Sequence, residues 1–117
     1  ILMLSLGLLI PSFAAAQVPV QNPSGVAFLC PDHATDDGHE VDIIRESDGV
    51  VIQTLAVGDP PLNAQGEVQV TINVQPIALG QYRFAVRVVV GTLKSPTSAP
   101  SPLWERTLMT STNLRVF

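Results

Sequence analysis

From Tyr82 onward the chain alternates strictly: Tyr82, Phe84, Val86, Val88 and Val90 fall on one side, Gln81, Arg83, Ala85, Arg87 and Val89 on the other. Successive side chains leave a strand on opposite faces, so a period of two over this length predicts a half-buried β-strand. Just upstream, Val68, Val70, Ile72 and Val74 alternate with Glu67, Gln69, Thr71, Asn73 and Gln75, which predicts a strand over 67–75. Joined through 76–80, these two strands are expected to form an antiparallel pair with one dry and one wet face. A further strand is predicted over 39–46, with Val41 and Ile43 inward, Glu40, Asp42 and Glu46 outward, and Ile44 breaking the pattern. Asp48-Gly49 between two apolar runs predicts a two-residue hairpin turn, both residues at positive φ, with the returning strand over 51–57. Short strands are predicted over 26–30, placing Val26, Phe28 and Cys30 on one side, and over 103–107. Residues 31–38 and 58–66 read as loops. The proline-rich run 95–102 is confined to an edge or a linker, because proline has no N–H for a sheet ladder.

No segment shows a helical period. About six to seven short strands, with turn signals every eight to twelve residues, predict an all-β domain, an antiparallel β-sandwich. Its expected core is Val26, Phe28, Val41, Ile43, Val70, Ile72, Tyr82, Phe84, Val86 and Val88.

Length and charge narrow the reading. The 117 residues suit one domain, expected over 25–109, with an extended linker at 17–24 and a tail at 110–117. Six basic against ten acidic residues give a net charge of −4. That balance excludes the basic stripe a nucleic-acid partner needs, and a polybasic membrane contact with it. Residues 1–10 are almost wholly apolar and lead through Pro11 to Ala14-Ala15-Ala16-Gln17. This has the form of a secretory signal peptide over 1–16 ending in an A-x-A site, its charged start truncated. The expectation is an exported protein, secreted or periplasmic, without membrane contact after cleavage. Cys30 is the single cysteine, so no intramolecular disulfide is available and the apolar core must hold the domain. Two roles stay open for it: a small buried hydrophobe beside Val26 and Phe28, or an inter-chain bridge in a dimer. Asn22-Pro23-Ser24 is no glycosylation acceptor, because proline holds its middle position.

The stretch Gly80-Gln81-Tyr82-Arg83-Phe84-Ala85-Val86-Arg87-Val88, after a strand and a turn, resembles the E–F region of fibronectin type III domains, where a tyrosine opens strand F. Gly91, then Ser95, Ser98, Pro100 and Ser101 running into Trp104-Glu105-Arg106-Thr107, resemble the family's F–G turn and proline-interrupted strand G. The resemblance covers about 23–107. It implies an immunoglobulin-like sandwich, here a short, bacterial-type module with a trimmed A/B region. It also implies that Tyr82 places its ring in the core and bonds its hydroxyl to nearby backbone, as in a tyrosine corner. Two features depart from the family: Ala78 holds the usual proline place, with Pro76 six positions before Tyr82, and the one tryptophan, Trp104, is not on strand B. There is no Arg-Gly-Asp, so integrin binding is not implied.

Candidate chemistry is sparse. Cys30, His33 and His39 form a Cys-x-x-His pair and one further imidazole, one ligand short of a structural zinc site. Asp32, Asp36, Asp37, Glu40 and Asp42 are oxygen donors for Ca²⁺, but without the spacing of a calcium loop. Cys30 and His33 are the only adjacent nucleophile and base, and Pro31 removes the amide that would help build an oxyanion hole. No enzyme and no cofactor are expected. The reading is a secreted, non-catalytic module for adhesion, spacing or binding of a protein or of a cell-surface or polysaccharide partner, through loops 32–38, 58–66 and 93–101 or an edge strand. Two alternatives remain: a metal-dependent or redox-linked protein centred on Cys30, His33 and His39, and an accessory domain of a longer secreted polypeptide.

Overall fold

The computed structural model describes residues 18–31 and 38–117. The signal-peptide reading and the candidates Asp32, His33, Asp36 and Asp37 lie outside the described residues. All regular structure among those residues is β, in eight strands: β1 (Val20–Gln21), β2 (Gly25–Phe28), β3 (Gly38–Arg45), β4 (Val51–Gly58), β5 (Val68–Thr71), β6 (Gly80–Val90), β7 (Leu93–Lys94) and β8 (Trp104–Arg106). They form two sheets. The larger runs β1-β8-β6-β3-β4, with β7 also on β6, and it is mixed because β1 pairs with β8 in parallel. The smaller is the antiparallel pair β2-β5.

The alternation seen in the sequence is an alternation of burial. Val41 and Ile43 of β3, Tyr82 and Phe84 of β6 and Trp104 of β8 meet Val68, Val70, Ile72 and Val74 in one apolar cluster. Val26, Phe28 and Val86 pack against it, half-buried. Val88 is half-buried further up β6, whose eleven residues outrun the four-residue strands of the small sheet. Each fully buried side chain of this kind contributes about 1.5–3 kcal/mol. The Tyr82 hydroxyl donates to the Ala78 carbonyl at 2.8 Å. Trp104 fills the core from β8, its ring stacked on Tyr82 (centroids 4.9 Å apart) and on Phe84 (4.8 Å).

Two expectations of local pairing are corrected. The runs 67–75 and 80–90 are not an antiparallel pair: β5 pairs with β2, β6 with β3 and β8, and the link between them crosses from one sheet to the other. Both strands bury their apolar faces in the same cluster, so they face each other rather than sharing an edge. The crossover is held by the Ile77 N–H bonded to the Val74 carbonyl and by the buried Ile77 side chain. The hairpin turn is also longer than two residues. Arg45 N–H meets the Val50 carbonyl at 2.9 Å, closing a loop over 46–49 in which Gly49 alone is left-handed, at φ 71°. Asp48 instead caps the loop, its carboxylate accepting from the Val50 N–H.

The stretch read as a linker and the proline-rich run read as an edge or a linker are both tied into the sheet. Within 17–24, β1 pairs with β8, and the Asn22 side chain accepts from the Thr107 N–H at 3.0 Å and donates to the Thr107 hydroxyl at 2.9 Å. Along 95–101 every third residue is a serine, and all three bond to β6 in the same way. The N–H groups of Ser95, Ser98 and Ser101 donate to the carbonyls of Val88, Val86 and Phe84. Their Oγ atoms accept from the N–H groups of the same three residues, at 2.9, 3.0 and 2.8 Å. Each hydroxyl then donates to the following residue's carbonyl. Proline is tolerated because Pro96 and Pro100 stand between the serines and Pro102 follows the last of them, at positions where the ladder needs no N–H. The free edge of β6 is thereby covered between β7 and β8.

Candidate functional site

The opposite side of the molecule is open. Among the described residues β4 pairs only with β3, and β5 pairs with β2, so each presents an outer edge. A cleft of about 650 Å³ lies between those edges, with Ile43, Val70 and Ile72 from the core and Leu55, Pro60 and Ile77 along its sides. Residues 69–73 line it consecutively, which brings the backbone edge of β5 to the cleft as well as its side chains. Among the described residues only the upper end of that edge is occupied, by an antiparallel bridge from Leu62 to Val68. Asn63 fixes this corner: its Oδ1 accepts from the N–H groups of Gln65 and Glu67, and its Nδ2 donates to Glu67 and Gln69. Loop 58–66 is thus a rigid rim. β4 carries no charged residue in eight, and Val51 and Ile52 are exposed. Edge strands usually bear charges, prolines or bulges that discourage further pairing. β4 has neither charge nor proline, but its register against β3 shifts at both ends, leaving Val57 and Ile52 as bulged residues and 53–56 as the regular part of the edge. The uncharged run 50–58 was the available sequence signal for this edge, but the sequence does not say where in the sheet it falls.

The chemical candidates are dispersed. His39 is buried at 1 % exposure, its Nδ1 3.0 Å from the Gly58 carbonyl and its Nε2 3.4 Å from Cys30 Sγ. Phe28 meets the imidazole edge-on at 5.3 Å. The Gly58 carbonyl can only accept, so Nδ1 donates to it and Nε2 faces the thiol. Cys30 is half-buried and packs against the core cluster beside Val26 and Phe28. Glu40 and Asp42 project from the other face of the large sheet, away from Cys30. Asp42 is 5 % exposed and accepts from Arg87 at 2.5 Å and from the Thr54 hydroxyl at 2.7 Å. Glu40 meets Arg87 Nε at 3.0 Å and Lys94 at 3.1 Å. These carboxylates are neutralised by cations of the same sheet. Among the described residues no three His, Cys, Asp or Glu gather to hold a metal.

On the same face Arg83 forks onto both oxygens of Glu46, at 3.0 and 2.9 Å. That hydrogen bonding holds the Glu46 carboxyl below its ordinary value of 4.5 and raises the Arg83 guanidinium above its own. Arg83 also donates to the Ser101 carbonyl, linking the hairpin to the serine ladder. These contacts stiffen the sheet and assemble no reactive group. The cleft is therefore the feature best suited to a ligand. No protein-family model, curated protein or solved structure matches this chain.

Proposed function

We propose that this is an exported, non-catalytic β-sandwich module of the immunoglobulin-like, fibronectin type III-like kind, which acts by holding an extended polypeptide segment along its open side. The sheet orders support the sandwich reading: β8-β6-β3-β4 corresponds to strands G-F-C-C′, and β2-β5 to B-E. The observation that carries the binding role is the cleft between two strand edges that, beyond the Leu62–Val68 bridge, are open among the described residues. Main-chain groups on such edges supply affinity for an added strand, and pockets for alternate side chains supply selectivity.

The test is selection of twelve-residue peptides from a random display library on the immobilised full chain, with amide exchange used to locate the bound peptide. Selected peptides should slow exchange over 51–57 and 69–73. Binding confined to loop 93–101, or no enrichment, would refute the reading.

A second reading, a metal-dependent or redox-linked protein, draws on the Cys30–His39 contact. A thermal melt with zinc and with chelator tests its metal form, and non-reducing mass measurement tests an inter-chain bridge through Cys30.

A further inference from the structure

We propose that residues 110–117 of this chain are themselves a ligand of the cleft, adding a third strand antiparallel to β5 within the same molecule. This rests on the cleft being a site for extended segments. Several independent features point to this occupant.

The first is where the tail begins. Arg106 donates from Nε to the Val74 carbonyl and from Nη2 to the Gln75 carbonyl, both at 3.1 Å. It further contacts the Thr107 carbonyl and Asn22 Oδ1. This clamp fastens the end of β8 to the chain leaving β5. Three residues later the Gln75 amide donates to Met109 Sδ at 3.7 Å. Gln75 sits between Asn73 and Pro76, both lining the cleft. The tail therefore departs from the cleft's lower rim.

Direction and length follow. β5 runs from the upper rim, where Val68 pairs with Phe28 and Leu62, toward this lower rim. A chain entering from below runs against it, the orientation an antiparallel strand requires. Five extended residues reach about 16 Å, so part of 110–117 is enough to run along the open stretch 69–73. Along β5 the open edge extends from Gln69 to the rim at Asn73, because Leu62 already occupies the position beside Val68.

The side-chain pattern also fits. Leu114 and Val116, 91 % and 96 % exposed, are two residues apart and so share one side of a strand, with Arg115 on the other. Placed against β5, that side covers Leu55, Val70 and Ile72 and leaves Arg115 and Phe117 facing outward. Asn113, left-handed at φ 57°, must become extended, a change asparagine makes at little cost. The small sheet gains most, since two four-residue strands are a marginal unit and a third stabilises it.

The test is fluorescence anisotropy with a labelled peptide, TSTNLRVF, titrated into the full chain and into the full-length L114D/V116D variant. Both substitutions fall on residues that are exposed in the structure, so they remove only what the docked segment contributes. A tethered segment has an effective concentration of about 1 mM, so a tail with an intrinsic Kd of about 100 µM raises the apparent Kd of free peptide about tenfold. The expected result is about tenfold tighter peptide binding to the variant, with peptide-dependent amide protection at 69–73. Equal binding to both chains would overturn the proposal while leaving the cleft a site for other extended segments. Absence of peptide binding to either would overturn it too, and the library selection would then decide the broader reading alone. A wild-type dimer in light scattering that becomes monomeric in L114D/V116D would overturn the intramolecular placement, with tails exchanged between copies.

Discussion

The serine ladder gives three nearly identical sites that differ mainly in burial, so replacing each serine by alanine separates hydrogen-bond geometry from solvent access. Every replacement deletes an acceptor for a β6 N–H and a donor to the next carbonyl, and leaves the serine's own N–H bond in place. At Ser101 the orphaned N–H is that of Phe84, in a part-buried bond directly over the core. At Ser98 and Ser95 the orphaned N–H groups are those of Val86 and Val88, in bonds exposed to solvent. A lost hydrogen bond costs about 0.5–1.5 kcal/mol, and a donor left buried costs about 1–3 kcal/mol. Water reaches the two exposed sites. S101A should therefore cost about 1–2 kcal/mol, and S98A and S95A about 0.5 kcal/mol or less each. At about 4–8 °C per kcal/mol for a domain of this size, S101A should melt roughly 5–15 °C below wild type. Urea unfolding gives the stabilities, and amide exchange gives the site: Phe84 should lose protection in S101A and keep it in S95A. If the three variants unfold alike, or Phe84 stays protected in S101A, the hydroxyls are not the acceptors that hold this edge.

Trp104→Ala removes the ring stacked on both Tyr82 and Phe84 at 2 % exposure and should cost about 3–5 kcal/mol, leaving the chain largely unfolded by circular dichroism at 37 °C. Arg87→Met strands the buried Asp42 carboxylate and should cost about 3–5 kcal/mol in urea. Lys94→Ala, whose side chain is 54 % exposed, should cost less than about 1 kcal/mol, and equal losses would mean Asp42 finds another partner. Glu46, held below its ordinary value of 4.5 by Arg83, contributes stability above that pH and loses it as pH falls through the lower folded value. Wild type should thus exceed E46Q in urea midpoint at pH 7 and converge with it below pH 4.5, and a gap that widens in acid would reverse the sign.

How much of this was legible beforehand differs from element to element. The period of two named the buried faces of β3, β5 and β6, because Val41, Ile43, Val70, Ile72, Tyr82 and Phe84 follow from side-chain geometry within a single strand. Neighbours along the chain decide that geometry, and a sequence carries it in full. Turn positions were legible for the same local reason, although the hairpin at 46–49 needed the Asp48 cap and a left-handed Gly49 to set its length. Pairing was not legible. A strand's alternation is the same whether its partner lies beside it or across the core, which is why β5 and β6, adjacent in the chain, could be placed in one sheet and prove to belong to two.

The remaining features depend on groups far apart in sequence. Ser95, Ser98 and Ser101 looked like part of a proline-broken edge, and only their seating against Val88, Val86 and Phe84 turns hydroxyls into ladder acceptors. Trp104 reads as a lone aromatic near the end of the chain until β8 lies beside Tyr82. The Cys30–His39 contact depends on β3 leaving His39 between the end of β2 and Gly58. The open cleft is a relation between two strand edges, β4 and β5, that no single segment encodes. The sequence by itself determined which side of each strand is dry, through the two-residue repeat of the extended backbone. The tertiary structure decided which edges meet and which stay open, because edge pairing is settled by long-range burial of both sheets in one core.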